Sequence, residues 1–135
     1  MGLGSERRMS VLVIALGGAA GAVSRYIATG WIQGITGGFF PWGTMTVNVA
    51  GSLALGFALV WLQGTLSSAE LRELVAIGFL GSFTTFSTFS YETVAMLRDG
   101  EWWRAGGYAT GSIVLGAVAV VVGAVLASAL MQGRS

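Results

Sequence analysis

The chain has 135 residues, 54% of them hydrophobic and 10% charged, with mean hydropathy +0.76 and a net charge of +1. A soluble domain carries about 25% charged residues, so the solvent this chain is built for is lipid. It has no cysteine and no histidine, and all seven basic residues are arginine. That excludes disulfides and thiol chemistry and removes the commonest transition-metal ligands and the usual general base, while no basic tract points to nucleic acid.

A transmembrane helix needs roughly 20 apolar residues, so four or five fit and no soluble domain is left over. Residues 1–135 are expected to form a single transmembrane domain. Glu6, Arg7 and Arg8 precede the first apolar run, residues 11–32, as in the n-region of a signal peptide. Arg25 and Tyr26 follow where a small-residue cleavage pattern would stand, so the run reads as a retained first helix. Gly17 and Gly21 form a GxxxG pair within it, a pattern that lets helix backbones approach closely in lipid. A Gly-rich link with the only proline (35–41) leads into the second run, 42–63. There Thr44, Asn48 and Ser52 stack on one face at i, i+4, i+8. An asparagine amide in hydrocarbon needs a partner. It either glues helices together or aims its NH₂ at an anion.

After a short polar link (64–70) the third run, 71–97, carries the anomaly. Seven side-chain hydroxyls lie between Ser82 and Tyr91, at what should be hydrocarbon depth. A Ser/Thr-rich stretch behind Gly78 and Gly81 forms helix poorly, which predicts a break near 81–84. Broken backbone at that depth must be buried in protein or line a watery cavity. Freed carbonyls there commonly coordinate a cation, and freed N–H groups face an anion. Phe86 and Phe89 share a helix face three residues apart. They are either lipid-facing bulk or, given their hydroxyl neighbours, inward-facing rings whose positive edges stabilise a small anion. Glu92 follows, the one acid set well inside a run. A charged link (98–101) leads to the fourth run, 103–131, where Tyr108 and Ser112 make another i, i+4 polar pair, with Gly116 next on the same face. Trp31, Trp42, Trp61, Trp102 and Trp103 fall near the expected ends, at headgroup level.

Four spans put Arg7, Arg8, Arg72 and Arg134 on one side of the membrane, and Arg25, Arg98 and Arg104 on the other. Orientation follows the Lys/Arg difference between sides, and four against three is almost none. The count permits insertion both ways, and copies inserted both ways could pair antiparallel; a weakly biased single topology is the alternative. Arg25 would raise the local anion concentration near a pore mouth. The interior thus offers donors and ring edges, which suits a small hydrated anion better than a cation.

Three motifs resemble those of the Fluc, or CrcB, family of fluoride channels. They are GGAAGAVSRY at 17–26, GTMTVNVAG at 43–51 and GSFTTFSTF at 81–89. The resemblance implies an all-α integral membrane fold of four helices, the third broken, assembled as an antiparallel, dual-topology homodimer with two pores. It implies a multi-pass protein of the bacterial inner (plasma) membrane that lets cytoplasmic fluoride leave passively, after HF has entered and dissociated. It also implies that Asn48 and the edges of Phe86 and Phe89 contact fluoride, with Arg25 toward a vestibule. Tyr108 and Ser112 would extend a polar track on the fourth helix, with Thr44 and Glu92 near the pathway. The carbonyls of Gly81 and Thr84 would hold a structural sodium ion on the dimer axis. Family members often continue that track with a hydroxyl where this chain has Gly116.

Two other classes compete. A small multidrug transporter needs an acid deep in its first helix to exchange protons for substrate, and none lies between Ser10 and Ile32. A scaffold protein would have no use for a hydroxyl-rich third span. No nucleophile–base pair can be drawn without histidine or cysteine, so an enzyme is not expected.

Overall fold

The computed structural model describes residues 2–65 and 68–133; Arg134 lies outside them. Every regular element among these residues is helical. Four are long and apolar enough to cross a membrane: Gly4–Thr36, Trp42–Gly64, Ala69–Arg98 and Trp102–Gln132. The helices run past the apolar cores that hydropathy marks, because polar ends continue to make backbone hydrogen bonds beyond the hydrocarbon. Helix α1 (Gly2–Thr36) shows this most, starting nine residues before the expected span and ending four after it. At 1.5 Å per residue it is about 52 Å long, against about 30 Å of hydrocarbon.

Gly37 ends α1 in a left-handed conformation, φ 75°, which a residue with a Cβ resists. Helix α2 (Trp42–Gly64) starts directly after Pro41. The third span is composite. It begins as α3 (Ala69–Arg72), widens to a π-helical segment (Glu73–Leu80) and tightens again to α4 (Gly81–Phe83). Thr84 (φ −81°, ψ 156°) and Thr85 (φ −146°, ψ 116°) are then extended, before α5 (Phe86–Arg98) resumes. Gly100, φ 77°, makes the turn into α6 (Trp102–Gln132). The predicted break is present. It falls at Thr84–Thr85, at the far edge of the expected stretch, and Gly81 and Ser82 remain helical.

Glycines set the packing. In lipid, helices gain no hydrophobic drive to associate and rely on close backbone approach. A Cβ at Gly17 or Gly21 on α1 would run into the carbonyl of Leu74 or Phe79, and one at Gly78 would lie 2.8 Å from the Ile14 carbonyl. The GxxxG pair is therefore the seam between the first and third spans. Gly56 and Gly123 do the same for α2 and α6, the most extensive helix pair, meeting the carbonyls of Val120 and Leu53. Outward-facing Leu16, Val23, Val121 and Val125 are exposed on the single chain, as lipid-facing side chains are. The buried centre at one end of the bundle is Met96, Ala105 and Tyr108, packed by Phe40, Met45, Phe89 and Leu97.

Candidate functional site

The break is closed by a side chain from the second span. Asn48 Nδ2 donates to the Thr85 carbonyl at 3.0 Å, and its Oδ1 accepts from the Thr85 N–H at 2.7 Å. One amide thus supplies both bonds that a helix would have given Thr85. Thr85 is buried, and its hydroxyl caps α5 by accepting from the Thr88 N–H at 3.3 Å while donating to Thr88 Oγ1 at 3.0 Å. A threonine is suited to this position because its oxygen can reach the third N–H of the helix it precedes. Asn48 Nδ2 carries a second hydrogen, and Thr85 uses only one.

These diversions leave a trace in the carbonyls. Gly81 would ordinarily be served by the Thr85 N–H and Thr84 by the Thr88 N–H, four residues on. Both donors are engaged with side-chain oxygens instead, Asn48 Oδ1 and Thr85 Oγ1. The chemistry of two such oxygens suits a hard cation.

Beside the break lies a cleft of about 240 Å³, lined in part by Asn48, Ser52, Thr84, Phe86, Phe89 and Ser112. The Phe86 and Phe89 centroids are 5.8 Å apart with planes at 42°. Phe86 is 78% exposed on the single chain, so its ring does not look inward within one subunit; Phe89 is half-buried. The Ser112 hydroxyl is buried and has no partner among the described residues. A buried hydroxyl without a partner costs about 1–3 kcal/mol, so this one is a candidate to meet a group that the described residues do not supply.

Phe89 joins this cleft to a second group. Its ring lies 5.3 Å from that of Tyr108, which is fully buried. The Tyr108 hydroxyl donates to Glu92 Oε2 at 2.6 Å, and the Thr44 hydroxyl donates to Glu92 Oε1 at 2.8 Å. Both carboxyl oxygens are thereby engaged, and Glu92 stands in a satisfied polar group rather than alone. Another cleft, about 440 Å³, is lined by Arg25, Thr29, Gln33, Thr44, Thr85 and Thr88 among others. Arg25 sits eleven residues before the end of α1, about 16 Å along the axis. It has no carboxylate partner among the described residues.

The fold therefore brings Asn48, Thr84, Phe86, Phe89 and Ser112 to one cleft and ties Thr44, Tyr108 and Glu92 into one network. Arg25 meets Thr44 across a separate cleft. Gly81 lines none of these clefts and is exposed on the single chain. Two contributors were not anticipated. Thr85 holds the break, and the hydroxyl three residues before Thr88 was the available signal. Gln33 lines the Arg25 cleft, and as a lone amide near the end of an apolar run it gave no pattern to read.

Residues 12–124 match the family described as CrcB-like protein, Camphor Resistance (CrcB). The chain is also similar to curated proteins that carry the name fluoride-specific ion channel FluC. That of Opitutus terrae is 49% identical over 122 residues, covering 88% of this chain and 92% of that one. That of Thermus thermophilus is 46% identical over 130 residues, covering 96% and 99%. That of Geobacter sulfurreducens is 50% identical over 97 residues, covering 71% and 78%. With a family match across most of its length and near-full-length relatives approaching half identity, this multi-pass membrane protein belongs to the CrcB family.

Proposed function

We propose that the protein is a fluoride-selective channel through which cytoplasmic fluoride leaves passively down its electrochemical gradient, conferring fluoride resistance. The observation that carries this reading is the cleft at the break. Amide, hydroxyl and phenyl side chains line it together with no carboxylate in the lining, and the buried Ser112 hydroxyl has no partner among the described residues. Fluoride holds its water tightly, so a pathway must replace several hydrogen bonds at once. The free Asn48 N–H, the Ser112 hydroxyl and the positive edges of Phe86 and Phe89 are that replacement. The relatives' shared description as fluoride-specific channels supports the choice of ion.

Arg25 raises anion concentration on the approach, and Tyr108 continues the track beyond Ser112 along α6. Thr44 and Glu92 hold Tyr108 at the edge of that track. The working form is an antiparallel homodimer with two pathways. The exposure of Phe86, with hydroxyl-bearing Ser87 and Thr88 beside it, supports a second copy covering this face. The near-equal arginine counts on the two sides support dual insertion. In that dimer the carbonyls of Gly81 and Thr84 from each copy would hold a structural sodium ion, which would supply positive charge to oxygens whose helix donors are diverted.

Growth of a fluoride-hypersensitive bacterial strain in fluoride medium tests the reading. Expression of this chain restores growth in fluoride, and expression of Phe86→Ile at equal membrane abundance does not. Failure of the unaltered chain to restore growth, while it accumulates in the membrane, would overturn the proposal.

A further inference from the structure

Gln33 stands near the end of α1, facing the turn that leads into α2. Its side-chain amide is fully used. Nε2 donates to the Phe40 carbonyl at 2.9 Å and to the Gly37 carbonyl at 3.3 Å, and Oε1 accepts from the Gly43 N–H at 3.1 Å. One residue therefore closes the turn at 37–41 and caps the first turn of α2, whose N-cap, Pro41, makes no side-chain capping bond. That turn carries Phe40 inward. The Phe40 ring meets Tyr108 edge-on, centroids 5.5 Å apart at 89°, and packs on Trp42 at 4.5 Å. Tyr108 in turn donates to Glu92 and lies against Phe89. On its outer side the turn is held separately, with Arg104 stacked 3.8 Å over the Phe39 ring and paired with Glu101. Gln33, Phe39, Glu92, Glu101 and Arg104 are among the residues that line a cleft of about 500 Å³ at this end of the bundle.

We infer that Gln33 is a positioning residue for the pathway: it seats the turn at 37–41 so that Phe40 fixes the Tyr108 ring against Phe89 and Glu92. This rests on the reading of the chain as a fluoride channel. The side-chain hydrogen bonds of Gln33 go to backbone groups of Gly37, Phe40 and Gly43; it acts on the hydroxyl and ring-edge groups assigned to the ion through Phe40. A pathway group held about an ångström from its place loses rate steeply. The effect on flux therefore exceeds the effect on folding.

The test is fluoride efflux from liposomes for the unaltered chain, Gln33→Glu, Phe40→Leu and the double variant. Gln33→Glu keeps the acceptor for Gly43 N–H and removes the donor that holds Phe40 and Gly37. Its expected result is a fall in initial efflux of about tenfold, the equivalent of one good hydrogen bond, with an unchanged gel-filtration profile. Phe40→Leu falls by a similar factor, and the double variant falls no further, because the two residues act in series. Gln33→Met repeats the test without a new charge and carries it if Gln33→Glu does not fold. Efflux at the unaltered rate in a folded Gln33 variant, or losses that multiply in the double variant, would overturn the inference. If the unaltered chain moves no fluoride, it is the functional reading that fails.

Discussion

Asn48→Ala separates the two tasks that one amide performs. In the structure Asn48 supplies the acceptor for the Thr85 N–H and a donor for the Thr85 carbonyl. Alanine supplies neither, and Thr85 is buried at the centre of the third span. A buried backbone group left without a partner costs about 1–3 kcal/mol. Two such groups give about 2–6 kcal/mol, and water entering from the adjoining cleft brings the expected loss to about 2–4 kcal/mol. Asn48→Asp keeps an acceptor for the N–H and loses the amide donor, so its loss should be intermediate. Denaturant unfolding in detergent micelles, followed by tryptophan fluorescence, reads both variants against the unaltered chain. Fluoride efflux should be abolished in Asn48→Ala even at temperatures where it is fully folded. An Asn48→Ala chain that unfolds with unaltered stability would refute the reasoning, since the break would then hold itself open without the amide.

Other perturbations read other parts of the account. Ser112→Ala removes a buried hydroxyl that has no partner among the described residues. It should raise stability by about 1 kcal/mol while lowering fluoride efflux, a pairing that a simple packing residue would not show. Phe86→Ile alters a ring that is largely exposed on one subunit, so the purified variant should keep its gel-filtration profile and thermal midpoint while its efflux falls more than tenfold; normal conduction would sink the ring-edge role. Gly123→Ala places a methyl against the Leu53 carbonyl and the Phe57 amide and should cost about 1–3 kcal/mol in unfolding measurements. Gly106→Ala, on the same helix with open space around it, should be neutral or stabilising by up to about 1 kcal/mol.

What could be read in the sequence followed from periodicity and from residues out of keeping with lipid. The four spans rested on apolar runs with tryptophans near their ends. The broken third span rested on hydroxyls at a depth where backbone groups must be satisfied inside the protein. Gly17 and Gly21 proved to be a true seam because their spacing is itself the packing geometry. What stayed hidden depends on partners far apart in the chain. Asn48 and Thr85 are 37 residues apart, so nothing local told which backbone group the amide would serve. That partnership also explains why the extended residues are Thr84 and Thr85 rather than Gly81. Helix propensity marks where a helix is weak, but the bond that replaces it decides where it opens. The π-helical stretch at Glu73–Leu80 left no compositional trace. The continuation of α1 to Thr36 runs through residues that hydropathy alone treats as a link. Gln33 is of the same kind: its role exists only once the turn has folded back upon it.

Ion-selective efflux from liposomes holding the purified protein tests the central claim most directly, with fluoride and chloride electrodes run in parallel. The account predicts rapid fluoride release and negligible chloride release. Chloride release at a rate comparable to fluoride, or release of neither ion by folded protein, would contradict it.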